Sequence, residues 1–255
     1  MRIPKTKRAV RSLLALGGVL TATGAAPAGT VGTVGVVPES RRVPGDQPAY
    51  VGALFHKDVH GGHWCTASVV HSPLRNLIVT AAHCLPAGVD GRAVSDTVFV
   101  PAYANGQAPH GAWKVDKAYA DKRWVTDQTE DADLAFTTVA ARDGKRIEDV
   151  TGASVPDTSG TTGNKVTVTG YNRAEESALT CTTVTKAFGD SHQFMECPRF
   201  DSSTSGSPWI TADGRLTGVL GGYHGGGDSP EVSYSIRLDE DAAALYRKAT
   251  RPASA

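Results

Sequence analysis

The chain has 255 residues, long enough for one large domain or two small ones, and its 26 basic side chains are matched by 26 acidic ones. A formal charge of zero gives no electrostatic case for a nucleic-acid partner or an anionic membrane. Composition points to a neutral globular protein and names no activity.

Arg2, Lys5, Lys7, Arg8 and Arg11 precede a short apolar segment, Leu13 to Ala22, that leads to Ala26, Pro27 and Ala28. A basic start, an apolar middle and a small-residue cleavage site predict a secretory signal over residues 1–28. The segment is too short, and too rich in Gly and Thr, for a membrane anchor, which needs about 20 apolar residues. The expected product is therefore exported, with no membrane segment in its mature form. Residues 29–48, with Gly, Thr, Val, Pro and the pair Arg41 and Arg42, read as an unstructured leader or short propeptide.

Short β-rich runs separated by Gly, Pro, Asn and Asp follow, and helical periodicity is absent until the end. Six runs precede residue 140: Tyr50 to Phe55, Trp64 to Val70, Leu77 to Thr80, Thr97 to Pro101, Trp113 to Ala118 and Leu134 to Val139. Residues 140–164, polar and rich in Gly, Thr, Asp and Ser, mark a boundary between halves. Six more runs follow: Val166 to Tyr171, Cys181 to Phe188, Gln193 to Cys197, Trp209 to Thr211, Leu216 to Leu220 and Val232 to Ile236. Two groups of six short strands without intervening helices predict an all-β fold of two antiparallel barrels. The barrels are expected over 49–145 and 146–255. A terminal helix is capped by Asp239, with Glu240 and Asp241 in its first turn and Arg247 and Lys248 in its last. Leu238, Ala242, Leu245 and Tyr246 give it one apolar face.

The four cysteines divide two and two between the halves, and export favours their oxidation. Three pairings are open; Cys65 with Cys84 and Cys181 with Cys197 close short loops within each half. A metal site at His60, His63 and Cys65 competes for the first half. A surface turn entering a strand is the plainer reading, so no metal and no cofactor is expected.

Three segments carry chemistry. His83 and Cys84 end the run Thr80, Ala81, Ala82; Asp133 precedes Leu134, Ala135 and Phe136; and Ser205 begins Ser205, Gly206, Ser207, Pro208. A serine hydroxyl needs a base within hydrogen-bond reach and a group that orients that base, and these are the three residue types required. Their chain order, histidine then acid then serine, is the chymotrypsin order rather than that of subtilisin or the α/β-hydrolases.

Over roughly residues 49 to 250 the chain resembles the chymotrypsin-like, trypsin-fold serine peptidases, and its Ser-Gly-Ser-Pro form resembles their bacterial glutamyl-endopeptidase-like branch. The resemblance implies six strands per barrel, a C-terminal helix packed on the second barrel, and a disulfide from Cys84 back to the preceding strand. It assigns Ser205 as nucleophile, His83 as general base and then acid, and Asp133 as the partner that orients the imidazole. Asp131 then becomes a solvated loop carboxylate. The backbone N–H groups of Ser203 and Ser205 would form the oxyanion hole, and Gly221, Gly222 and Tyr223 would pair with the substrate backbone.

Four positions depart from the family pattern. Ser203 stands where glycine is usual, which strains the backbone if φ must be positive. Thr204 replaces the acid that pairs with a new N-terminus in the pancreatic enzymes, and no matching start is visible near residue 43, so activation by insertion is not expected. Gly221 replaces a serine that helps to hold the catalytic acid. Leu220 occupies the place of the histidine that confers glutamyl specificity. Arg199, with Asp201 nearby, sits at the offset of the primary pocket, and Arg199 or His224 can receive an acidic side chain, so neither basic nor acidic specificity is assigned. The expected activity is secreted endopeptidase action on peptides or proteins by a monomer. A binding protein on the same fold is the rival; an α/β-hydrolase esterase is disfavoured by triad order and by the lack of Gly-x-Ser-x-Gly at Ser205.

Overall fold

The computed structural model describes residues 38–85, 91–94, 96–201, 203–226, 229 and 231–251. The expected signal segment lies outside them, as does the expected leader through residue 37.

The first half contains β1 (Arg41–Arg42), β2 (Val51–His56), β3 (His63–Val70), β4 (Leu77–Thr80), β5 (Arg92–Ala93), β6 (Thr97–Pro101), β7 (Trp113–Ala120) and β8 (Ala135–Val139). β7, β6, β2, β3, β4 and β8 pair in that order and β7 also pairs with β8, so six strands close into a barrel. β2 alternates between two environments. Leu54 points into the barrel with Ala67, Val69, Ile78 and Trp113, while Val51, Ala53 and Phe55 point to a second apolar layer with Val43, Val100, Tyr171 and Ala178.

The second half contains β9 (Val155–Pro156), β10 (Lys165–Gly170), β11 (Leu179–Val184), β12 (Lys186–Phe188), β13 (His192–Glu196), β14 (Pro208–Thr211), β15 (Arg215–Val219) and β16 (Val232–Ile236). β1, β11, β10, β14, β15 and β9 form one sheet, and β12, β13 and β16 another. The Cys181–Cys197 disulfide ties β11 to the residue after β13, and the Val219 amide donates to the Ser235 hydroxyl at 2.9 Å. These links join the two sheets around Val166, Val168, Leu179, Met195, Trp209 and Leu220.

The twelve expected runs all coincide with strands to within two residues, except that the run from Cys181 to Phe188 is interrupted at Thr185. Two short helices, α1 (Lys122–Asp127) and α2 (Ile147–Thr151), were not expected. α1 begins at Asp121, whose side chain accepts from the Arg123 amide; six residues are too few for a helical period to emerge.

The terminal helix, α3 (Glu240–Ala249), has the expected Asp239 cap. Its placement differs from the implied one. Leu238, Ala242, Leu245 and Ala249 share a cluster with Leu77, Val79 and Phe136 of the first barrel as well as Ile210, Leu216 and Val219 of the second, and the Tyr246 hydroxyl donates to the His71 carbonyl at 2.7 Å. The helix covers the seam between halves, because Leu134 and Phe136 there present apolar surface that neither barrel encloses alone.

Residues 40–48 are built into the fold rather than hanging from it. β1 pairs with β11, Val43 is buried, the Ser40 hydroxyl donates to the Pro198 carbonyl, and the Gln47 amide donates to the Tyr103 carbonyl at 2.9 Å. A version starting at residue 49 loses this burial and these bonds and should melt about 5–10 °C below a version starting at residue 38. Equal melting temperatures by calorimetry would show the segment to be a removable leader.

Candidate active site

β4 is buried along its whole length, and as the chain leaves the barrel it makes a single 3₁₀ turn, Ala82–Cys84. Ala82 and Cys84 face inward, which turns His83 outward with 32 % of its side chain exposed. The turn is fixed from two sides. Cys84 is joined to Cys65 of β3, and the Trp64 indole N–H donates to the Cys84 carbonyl at 2.9 Å. The Trp124 ring lies 6.5 Å from the imidazole. Cys65, His83 and Cys84 are the one close group of three metal-ligand-type side chains among the described residues, and the disulfide joins its two sulfurs. His63 is instead buried against Phe55, Tyr103 and Tyr171, and its Nε2 lies 3.1 Å from the Glu175 carbonyl.

Asp133 follows a second 3₁₀ turn, Glu130–Ala132, and its side chain is 2 % exposed. Three donors meet its carboxylate. Oδ1 accepts the His83 backbone N–H at 2.9 Å; Oδ2 accepts the imidazole Nδ1–H at 2.7 Å and the Gly222 N–H at 2.7 Å. Burial alone would raise the carboxyl pKa, but the His83 ring, its charge when protonated and the two backbone donors outweigh it and hold the value below the ordinary range. Asp131 takes no part: it is half exposed and meets Ser191 at 3.0 Å and His192 at 3.3 Å.

Gly221 gives Asp133 no hydroxyl, yet the support is present in another form. The Gly221 amide donates to the Tyr234 carbonyl at 2.9 Å, which presents the next amide, that of Gly222, to Oδ2. A β-carbon on Gly222 would lie 3.2 Å from the imidazole Nδ1 and 3.3 Å from Oδ2, a tight fit that asks both groups to give by a few tenths of an ångström.

Ser205 is carried on the turn before β14 and is 6 % exposed. Its carbonyl accepts the Thr66 amide at 2.8 Å, and the Gly206 amide donates to the Leu220 carbonyl at 2.7 Å. Gly206 has φ +86°, and a β-carbon there would overlap the Thr66 carbonyl and the Thr80 hydroxyl. Thr66 adjoins Cys65 and Leu220 adjoins Gly221, so the serine turn is locked between the strand that ties down His83 and the segment that supports Asp133.

Ser203 is not among the residues with positive φ, so the expected strain is absent; Arg199 takes the left-handed conformation instead, at φ 72°. The Ser203 amide donates to Asp201 Oδ1 at 3.1 Å, and Thr204 is buried with its amide on the Asp201 carbonyl at 3.0 Å. Arg199 turns toward Glu175, 3.3 Å away, which also binds Arg42 at 2.8 Å. Leu220 is buried in the apolar cluster with Phe200 and Trp209, and the His224 ring stacks on Tyr223 at 4.2 Å. Sequence reasoning missed Trp64, Thr66 and Trp124, whose roles depend on contacts across strands, and found Gly222 for a different reason.

The model of the trypsin-like peptidase domain matches residues 65–219. No curated protein matches the chain. Among solved structures, the protease Anisep from Arthrobacter nicotinovorans is 23 % identical with TM-score 0.71, covering 83 % of this chain and 99 % of its own. A thermostable serine protease, AL20, from an extremophilic microorganism is 24 % identical with TM-score 0.68, covering 81 % and 99 %. A Glu endopeptidase is 14 % identical with TM-score 0.64, covering 83 % and 96 %.

Asp133 gives a stability signature. Its folded pKa lies below the unfolded value of about 4, so its contribution is fully present above that pH and is lost as pH falls through the folded value. The melting-temperature gap between wild type and Asp133→Asn should shrink steadily from pH 5 to pH 2; a constant gap would contradict the three-donor carboxylate.

Proposed function

Since the chain belongs to the trypsin-like peptidase family, we propose that it is a secreted serine endopeptidase that works through an acyl-enzyme on Ser205. The observation that carries this reading is the 2.7 Å bond between His83 Nδ1 and a buried Asp133 carboxylate. It fixes the imidazole as the Nδ1–H tautomer and leaves the Nε2 lone pair to accept a proton.

Ser205 Oγ attacks the scissile carbonyl carbon while its proton passes to His83 Nε2. The carbonyl π pair moves to oxygen, and that oxyanion is received by the amides of Ser205 and Ser203. As the C–N bond breaks, the departing nitrogen takes the proton from His83 and the acyl group stays on Oγ. Water then repeats the sequence, giving its proton to His83 and releasing the carboxylate product. Asp133 stays ionised throughout and stabilises the transient imidazolium. The segment Gly221, Gly222, Tyr223 is the edge on which an extended substrate lies. Export is supported by the N-terminal pattern and by the two disulfides; among the described residues no helix is long and apolar enough to cross a membrane. The Ser-Gly-Ser-Pro form favours the glutamyl-endopeptidase-like branch, but Leu220 and the outward turn of Arg199 give no reason to transfer glutamyl specificity.

A second reading, a binding protein without turnover, is favoured by one observation: the Ser203 amide is engaged by Asp201. Treatment with a fluorophosphonate separates the two. Wild type should be labelled on Ser205 and Ser205→Ala should not, with the modified peptide identified by mass. Folded, disulfide-bonded wild type that resists the reagent would favour the binding protein. Asp133→Asn should lower turnover by about 10⁴-fold, and a loss below tenfold would mean that the acid is misassigned.

A further inference from the structure

Ser203 has no exposed surface, although its amide is one of the two donors the proposed reaction requires. A glycine at this position can take either sign of φ and turn its amide freely. Serine is held to negative φ, and here its N–H is directed at the Asp201 carboxylate, 3.1 Å away. Asp201 is itself anchored. Its Oδ1 also accepts the Arg173 amide at 3.4 Å, its own amide donates to the Asn172 side chain at 3.4 Å, and its carbonyl accepts the Thr204 amide at 3.0 Å. Arg173 Nε donates to the Ser203 hydroxyl at 3.3 Å, which places a guanidinium beside the same two residues.

We infer that Asp201 is an internal ligand of the oxyanion hole: in the resting protein its carboxylate occupies the Ser203 amide, and a substrate carbonyl must displace it before the second donor is available. The inference rests on the serine-peptidase reading of Ser205 and adds a residue that holds its activity down. Two physical effects act in the same direction. A hydrogen bond to an ionised acceptor is stronger than one to the neutral carbonyl of a substrate, so the resting arrangement competes with binding. A carboxylate left beside the site also repels the negative charge that develops on the carbonyl oxygen. Loss of a single oxyanion donor typically lowers turnover by about 10²- to 10³-fold, so even partial occupation is measurable. The apparent reactivity of a site scales with the fraction of molecules in the competent arrangement. The guanidinium of Arg173 gives the displaced carboxylate a counter-charge close at hand.

The test compares second-order rates of Ser205 labelling by a fluorophosphonate in wild type, Asp201→Ala and Asp201→Asn, with folding of each checked by calorimetry. Asp201→Ala frees the amide and removes the charge, and should label about three- to tenfold faster. Asp201→Asn keeps an acceptor of the same shape but neutral, and should fall between the two. Should the alanine variant fail to fold, the asparagine variant decides: a rate above wild type supports the inference, and a rate equal to or below it overturns it. Labelling of wild type with no gain in a folded variant overturns the role of Asp201 and leaves the peptidase reading intact. Absence of labelling in all three folded proteins overturns both.

Discussion

A single buried carboxylate sets the tolerance of this molecule. An ionised group removed from water is costly unless its lone pairs are met by donors, and Asp133 meets that condition with donors drawn from both halves. Two belong to His83 at the end of β4 and the third to Gly222, beyond the end of β15. Shift one barrel against the other by an ångström and at least one of those bonds is lost. The other constraints near the site serve the same register: the disulfide and indole that hold the histidine turn, the Gly221 amide on Tyr234, and the terminal helix laid across the seam.

Ser205 reaches the site by a different logic, in which space rather than charge is decisive. Its carbonyl is bonded to Thr66, and the following residue must be glycine because the Thr66 carbonyl and Thr80 hydroxyl occupy the place of any β-carbon. The serine turn therefore inserts between β3 and the chain leaving β15, the two segments that reach His83 through the Cys65–Cys84 disulfide and Asp133 through the Gly222 amide. In the proposed reaction, a serine held this way loses little freedom when a substrate arrives, which is how a fixed site lowers a barrier. The amide of Ser203 is the exception, because it is paired within the protein before any substrate is present.

What could be read from the sequence was whatever depends on local periodicity. β3 and β6 show themselves as apolar runs between turn residues, α3 as a capped amphipathic segment, and the short-loop pairing of Cys65 with Cys84 and Cys181 with Cys197 is the pairing found. Asp133 was set apart from Asp131 by the family pattern, which places the acid before an apolar run; Asp133 is the one of the two whose carboxylate meets His83. Hidden from the sequence was everything decided by a distant partner. Residues 29–48 read as an unstructured leader, yet Val43 is buried in a cluster with Tyr103, Tyr171 and Ala178 and Gln47 bonds Tyr103. The absence of a serine at Gly221 suggested weak support for the acid, because a backbone donor supplied by the next residue leaves no mark in side-chain identity. α3 was expected on the second barrel because the family resemblance implied it; its apolar face says that it packs but not against what.

The proposed chemistry requires that a hydroxyl from one half and an imidazole from the other share one cleft. The most direct measurement is a crystal structure of the protein after reaction with diisopropyl fluorophosphate. The account predicts a phosphoryl group on Ser205 Oγ, with His83 Nε2 within about 3.2 Å of one of its oxygens and the Asp133 bonds unchanged. An unmodified hydroxyl, or an imidazole that lies out of reach of the adduct, would contradict it.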